Sequence, residues 1–168
     1  MSAEPTIRLA TIEDAETISQ ILREAFEPLK DGYAPEAFDV VRPSATEIVG
    51  RFDDGPQWLA QIDGTPVGTV SVVPEPEWLY IRSMAVLPSA QGFGIGGSLL
   101  DAVETYALDQ GFKKLFLYTT YFSESALRLY EKKGFYWVRD TPADEWFDTP
   151  GLAMEKVVGR KAENAVGS

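Results

Sequence analysis

The 168-residue chain contains no cysteine and no histidine. Without cysteine there is no disulfide framework and no thiolate nucleophile, and a cytoplasmic location is the expectation. Without histidine as well, zinc sites built from Cys and His are excluded, as are Ser-His-Asp and Cys-His catalysis. Proton transfer must then run through Asp, Glu, Tyr, Lys, Ser or water. An Asp-rich loop with the spacing of a calcium or magnesium site is missing too, so no metal is expected. No apolar run reaches the roughly 18 residues of a membrane span. The opening Met1-Ser2-Ala3-Glu4-Pro5 has no basic region leading into an apolar stretch, so no secretion signal is expected. Positive charge is scarce, with 15 Lys and Arg against 26 Asp and Glu, a formal net charge of −11. A nucleic-acid partner needs clustered basic residues and is not expected. The acidic surface either keeps the chain soluble or draws in cationic amines.

What remains is an ordinary globular composition, 45% hydrophobic and 24% charged. The length suits one domain, read as residues 1–158, with 159–168 as a mobile tail. Thr6–Leu9 reads as a strand. Ala15, Ile18, Ile21, Leu22, Ala25 and Phe26 recur at helical spacing, and Pro28 ends that helix. Residues 29–43 read as a loop with one short helix, and 45–52 as a further helical piece. Gln57–Ile62 and Pro66–Val73 read as strands joined by an Asp63-Gly64 hairpin turn. Trp78–Val86 is apolar on both alternating faces, Trp78, Tyr80, Arg82, Met84, Val86 and Leu79, Ile81, Ser83, Ala85, which marks a central strand covered on both sides. A helix over about Gly97–Gln110 and one from an N-capping Ser123 to Lys133 enclose a strand at Lys114–Thr120. Two more strands follow, at Phe135–Arg139 and Leu152–Val157. This order implies a mixed sheet with helices on both faces.

The most informative segment is Gly92-Phe93-Gly94-Ile95-Gly96-Gly97, between a buried strand and a helix. Such a loop can converge backbone N–H groups at the positive end of a helix, which suits phosphate. A Walker loop needs a Lys before the Ser of Gly97-Ser98, and none is there. A dinucleotide fingerprint through Gly92, Gly94 and Gly97 should open directly from its strand, yet Leu87–Gln91 intervene, and the next strand ends without the required acid. The third pattern, Gln91-x-x-Gly94-x-Gly96, resembles the acyl-coenzyme A loop of the GCN5-related N-acetyltransferase superfamily. Ser83–Pro88 is similar to that family's cofactor strand, and Ala126–Phe135 to its second signature. Ile7–Thr11 with Glu13–Ala15, and the closing Met154-Glu155-Lys156, extend the likeness over nearly the whole chain.

The resemblance implies an α/β fold (α+β in some schemes) with a mostly antiparallel sheet of six to seven strands. It implies acetyl transfer from acetyl-CoA directly to a primary amine of a small molecule, peptide or protein. Met84, Ala85 and Val86 would meet the pantetheine arm, and Gln91, Gly92, Phe93, Gly94, Ile95, Gly96 and Gly97 the diphosphate. Ser123 stands where the family often has Asn, and Tyr130 would protonate the leaving thiolate. The family's frequent Glu on the central strand is replaced by Tyr80, so the base is open between Tyr80, Glu77 and a strand carbonyl acting through water. Tyr33, Phe38 and Trp78 are candidates for the acceptor pocket, as are the acids of the flanking loops, Asp31, Glu36, Asp39, Asp144, Glu145 and Asp148. Each aromatic reads first as ordinary core or loop packing, and Gly96 and Gly97 also read as helix–strand contact. A non-catalytic acyl-CoA-binding module is the alternative function. A homodimer is an expectation from the resemblance alone.

Overall fold

The computed structural model describes residues 4–159, so most of the expected tail lies outside the described residues. Seven strands form one sheet: β1 (Pro5–Leu9), β2 (Gln57–Ile62), β3 (Thr65–Pro74), β4 (Leu79–Val86), β5 (Lys114–Thr119), β6 (Tyr136–Thr141) and β7 (Gly151–Val157). Their order is β1-β2-β3-β4-β5-β7-β6. Every neighbouring pair is antiparallel except β4 with β5. Asp63 and Gly64 both take positive φ, 50° and 80°, and make the two-residue turn the sequence predicts.

Helices cover both faces. α1 (Ala15–Phe26) and α3 (Ala45–Arg51) bury Ile18, Ile21, Leu22 and Ile48 against Leu59 and Ala85. α4 (Ile95–Gln110) and α5 (Glu124–Lys132) bury Leu99, Leu100, Val103 and Tyr130 against Val70, Leu79, Ile81, Leu115 and Leu117. The segment read as loop is more ordered than its prolines and glycine indicate. A 3₁₀ stretch at Glu27–Gly32 follows α1, and α2 (Pro35–Val40) has Pro35 in its first turn, where the missing N–H costs nothing. α4 starts at Ile95, two residues before the expected Gly97, because Gly94 takes a left-handed φ of 76° and stands at the N-cap. Ser123 holds the N-cap position of α5, but its hydroxyl does not cap the helix. It shares a 2.6 Å hydrogen bond with Thr120.

The alternation read along β4 is wrong past Ile81. β3 matches Ser71 with Ser83 and Val72 with Ile81, so Arg82 has no partner and forms a bulge. One extra residue exchanges the two faces of everything beyond it. Leu79 and Ile81 face the α4 side before the bulge, and Met84 and Val86 face it afterwards, while Ala85 packs toward α1. The bulge also bends the strand. β4 and β5 pair only through Leu79–Leu115, Tyr80–Phe116 and Ile81–Leu117, and then part.

β1 is tied to the start of α1 by one carboxylate. Asp14 accepts from Arg8 at 2.8 and 2.9 Å and from the Thr11 N–H at 2.8 Å. The Arg8 guanidinium, opposed by partial burial and helped by the Thr11 N–H, holds the Asp14 carboxyl down to about 2. A depressed carboxyl stabilises the fold above its unfolded value of about 4 and loses that contribution as pH falls toward the folded value. Arg8 is 43% exposed, so screening limits the effect. Asp14→Asn should therefore cost about 1 kcal/mol in neutral urea melts, and its difference from wild type should close as pH falls through about 4 toward 2.

Candidate active site

A cavity of about 950 Å³ opens where β4 and β5 part. Tyr80 to Val86 form one wall and Leu117 to Thr119 the other, and the space continues to the N-terminus of α4 and along α5. Past Ile81, β4 has no strand neighbour on its β5 side. Backbone groups on that edge need partners from water or a ligand.

At one end lie Gln91, Gly92 and Gly94 to Gly97. Gly92 and Gly94 have φ of 92° and 76°, and a Cβ on either would meet open space. Glycine is needed there for the left-handed backbone and not for room. At Gly96 the reason is room. A Cβ would stand 2.6 Å from Leu129 Cδ2 and 3.4 Å from Met84 Cε, so its absence lets the first turn of α4 close on α5 and β4. No acidic residue occupies that first turn. Unopposed N–H groups and the helix dipole face the cavity, which fits a diphosphate.

Three tyrosines supply hydroxyls around the split. Tyr130 on α5 is 6% exposed and lines the cavity, and burial with neighbouring Tyr33 pushes its pKa well above the usual phenol range. Tyr33 is raised by burial, an effect the hydroxyls of Ser123 and Thr120 partly oppose. Its ring meets Phe122 edge-on at 4.8 Å. Tyr80 is raised by burial first and by Tyr118 second. All three stay protonated at neutral pH, so each hydroxyl has a proton to donate.

The cavity gathers most of the residues picked out from sequence: Tyr33, Tyr80, Met84, Ala85, Val86, Gln91, Gly92, Gly94, Ile95, Gly96, Gly97, Ser123 and Tyr130. Four fall elsewhere. Phe93 is 57% exposed and off the wall. Glu77 is exposed in the loop before β4. Trp78 stacks on Phe116 at 4.3 Å, and Phe38 is buried between Tyr33 and the Arg42 guanidinium. Neither ring lines the cavity, because each is taken up by packing against its own neighbours. Of the flanking-loop acids only Glu145 reaches it, and Arg139 holds that carboxylate at 2.8 and 2.9 Å. Phe26, Phe122, Trp146 and Arg82 line the cavity without having been singled out for it. For Arg82 a signal existed: a cation inside an otherwise apolar central strand.

A sheet opened between two parallel strands, with a glycine-capped helix end at the opening, defines an α/β protein with a deep cleft at that split. The chain belongs to the acetyltransferase (GNAT) family, whose model matches residues 15–135, and it is an acyltransferase. It is 27% identical over 138 residues to the uncharacterized N-acetyltransferase YjgM of Escherichia coli (strain K12), covering 78% of this chain and 81% of that one. The PaiA N-acetyltransferase of Thermoplasma acidophilum, solved in complex with coenzyme A, superposes with a TM-score of 0.78 at 23% identity, over 94% of this chain and 99% of that one. Ard1 of Thermoplasma volcanium gives 0.76 at 20%, over 93% and 99%. Both share the fold.

The close approach at Gly96 has a measurable consequence. Gly96→Val should lower stability by about 1–3 kcal/mol in urea melts, because Leu129 and Met84 must move. Gly50→Ala, whose Cβ on α3 meets nothing within 4 Å, should raise stability slightly by helix propensity.

Proposed function

We propose that residues 1–158 form one domain that transfers the acetyl group of acetyl-CoA directly to a primary amine. The observation that supports this most is the continuity of one cavity from the α4 N-terminus, through the gap between β4 and β5, to the hydroxyls of Tyr130 and Tyr80. Acetyl-CoA fits its two halves. Gln91 to Gly97 hold the diphosphate on backbone N–H groups, and the open edge of β4 around Met84 and Val86 receives the amides of the pantetheine arm. Ser123, bonded to Thr120, supports the wall beside that arm.

Strand N–H groups polarise the thioester carbonyl, and the amine attacks it. A C–N bond forms and the C–S bond breaks. Tyr130 gives its proton to the departing thiolate, a role its raised pKa suits because the phenol is fully protonated when the thiolate leaves. Tyr80 is a donor at neutral pH, so it orients the water that carries away the amine's proton and does not itself take it. Glu77 is left out of the chemistry by its position. The acceptor enters from the α1 side, where Phe26, Tyr33, Phe122 and Trp146 wall the cavity. Nothing in the cavity favours a non-catalytic module, since donor groups stand at both the phosphate end and the reacting end.

Gly94→Val should weaken coenzyme A binding by about 10- to 100-fold in calorimetry with the fold retained, because a β-branched residue resists a φ of 76°. Undiminished affinity would remove the loop from the site. Tyr130→Phe should leave that affinity near wild type and slow turnover by about 10²–10⁴-fold. Turnover needs the protonated phenol and is lost only as pH rises through its raised pKa, so wild-type rates should not decline on the alkaline side below the ordinary value of 10.0.

A further inference from the structure

The acceptor end of the cavity carries positive charge that the chain does not fully answer. Arg82, the bulge residue of β4, lines the cavity, and its Nη1 donates to Asp54 at 3.1 Å. Its Nε and Nη2 are enclosed and have no hydrogen-bond partner among the described residues. These two nitrogens form the side edge of the guanidinium, which grips a carboxylate through two parallel N–H bonds. Leaving such donors enclosed and unmet is costly. Arg51 stands alongside, its Nη1 donating to the hydroxyl of Ser83, the next residue of β4, at 2.9 Å. Burial first, and the charge of Arg82 second, lower Arg51 to about 10. The carboxylates facing this pair are weakly placed. Asp54 is 50% exposed, and Glu47 is exposed and turned back onto the Ser44 N–H at 3.0 Å. Glu145, the acid on the opposite wall, is matched by Arg139. A group perturbed by burial together with a specific charged neighbour, set beside a cleft, marks a candidate functional site.

We propose that the acceptor carries a carboxylate beside its amine, as an amino acid does, and that Arg82, backed by Arg51, docks it. This rests on the acyl-transfer reading above. Arg82 sits two residues from Tyr80, where the strands part, so a carboxylate held there leaves its own amine a short reach from the gap. A change of side-chain rotamer, common on binding, turns the unused guanidinium edge toward the cavity. The remaining wall is aromatic: the ring of Tyr33 meets those of Phe26, Phe122 and Trp146 at 6.2, 4.8 and 6.3 Å. That wall suits an apolar substituent; of the two acids that line the cavity, Glu145 is matched by Arg139 and Glu124 stands in the first turn of α5. The net charge of −11 does not oppose this, because exposed charges are screened beyond about 8 Å at physiological salt.

The test follows thiol release from acetyl-CoA by the full chain, using the L-amino acids from Ala to Trp and their matched carboxamides. The acids should exceed the amides by about 10- to 100-fold in kcat/KM, the worth of charge-assisted hydrogen bonds. Arg82→Gln should bring the acids down to the amides, and Arg82→Lys should restore only part of the difference. Coenzyme A affinity should be unchanged in both variants. Equal turnover of acids and amides overturns the proposal, as does a preference that survives in folded Arg82→Gln, or turnover of no acid at all. The wild-type comparison stands even if the variants fail to fold. Wild-type protein that turns over amines but ignores their carboxylates refutes only this inference. Failure to bind coenzyme A refutes the acyl-transfer reading and takes this one with it.

Discussion

The structure depends on two parallel strands that begin as partners and then separate. Three residue pairs hold β4 to β5, and the bulge at Arg82 turns β4 away. A sheet interior is a poor place to leave backbone groups unpaired, because each enclosed N–H or C=O without a partner costs about as much as a lost hydrogen bond. The fold tolerates the gap because it is a cavity, open to water or ligand. On the proposed reading, the bonding capacity denied to β5 becomes binding capacity for an extended amide-bearing chain. Other features take their places from this. α4 follows β4 and brings its positive end to the mouth of the gap, while α5 follows β5 and brings Tyr130 to its side.

The missing histidine shapes the chemistry that such a gap can support. Near-neutral titration belongs to His, so this chain has no ordinary side chain that both gives and takes a proton at pH 7. Its cavity uses buried phenols, which desolvation keeps protonated. Such a site can supply protons and hydrogen bonds readily and accept protons poorly. It therefore fits a reaction whose difficult proton is the one given to a leaving thiolate, and whose nucleophile can lose its proton to water.

Periodicity and glycine placement made most of the architecture legible. The apolar stripes of α1 and α4, the Asp63-Gly64 turn and the glycine run each depend on local chemistry, and each appears as read, with boundaries displaced by a residue or two. What sequence could not show was set by pairing across strands. Nothing in Leu79–Val86 marks Arg82 as a bulge, because the insertion exists only relative to β3. Missing it put Met84 and Val86 on the wrong face. Trp78 and Phe38 failed as pocket residues for a similar reason. An aromatic residue near a site in sequence has several surfaces to cover, and Phe116 and Arg42 claim these two. Ser123 was correctly placed at a helix start but given the wrong bond, since Thr120 competes for its hydroxyl.

Charge shows the same division between global and local. A chain at −11 with acids in both loops around the pocket invites a cationic acceptor. Yet a carboxylate acts over only about a Debye length, and those on the loops point into water, with Glu145 already matched. The charges that matter at the acceptor end are the few that stand at the cavity wall and are only partly reached by water. There the bulge plants Arg82 against the cavity wall and Arg51 closes on Ser83 beside it. An acidic protein can therefore hold a cationic pocket, and its selectivity follows the enclosed groups and not the sum over the surface. On the proposed reading, the distortion that opens the sheet for the acyl donor also places the guanidinium for the acceptor, so one irregularity in β4 would serve both substrates.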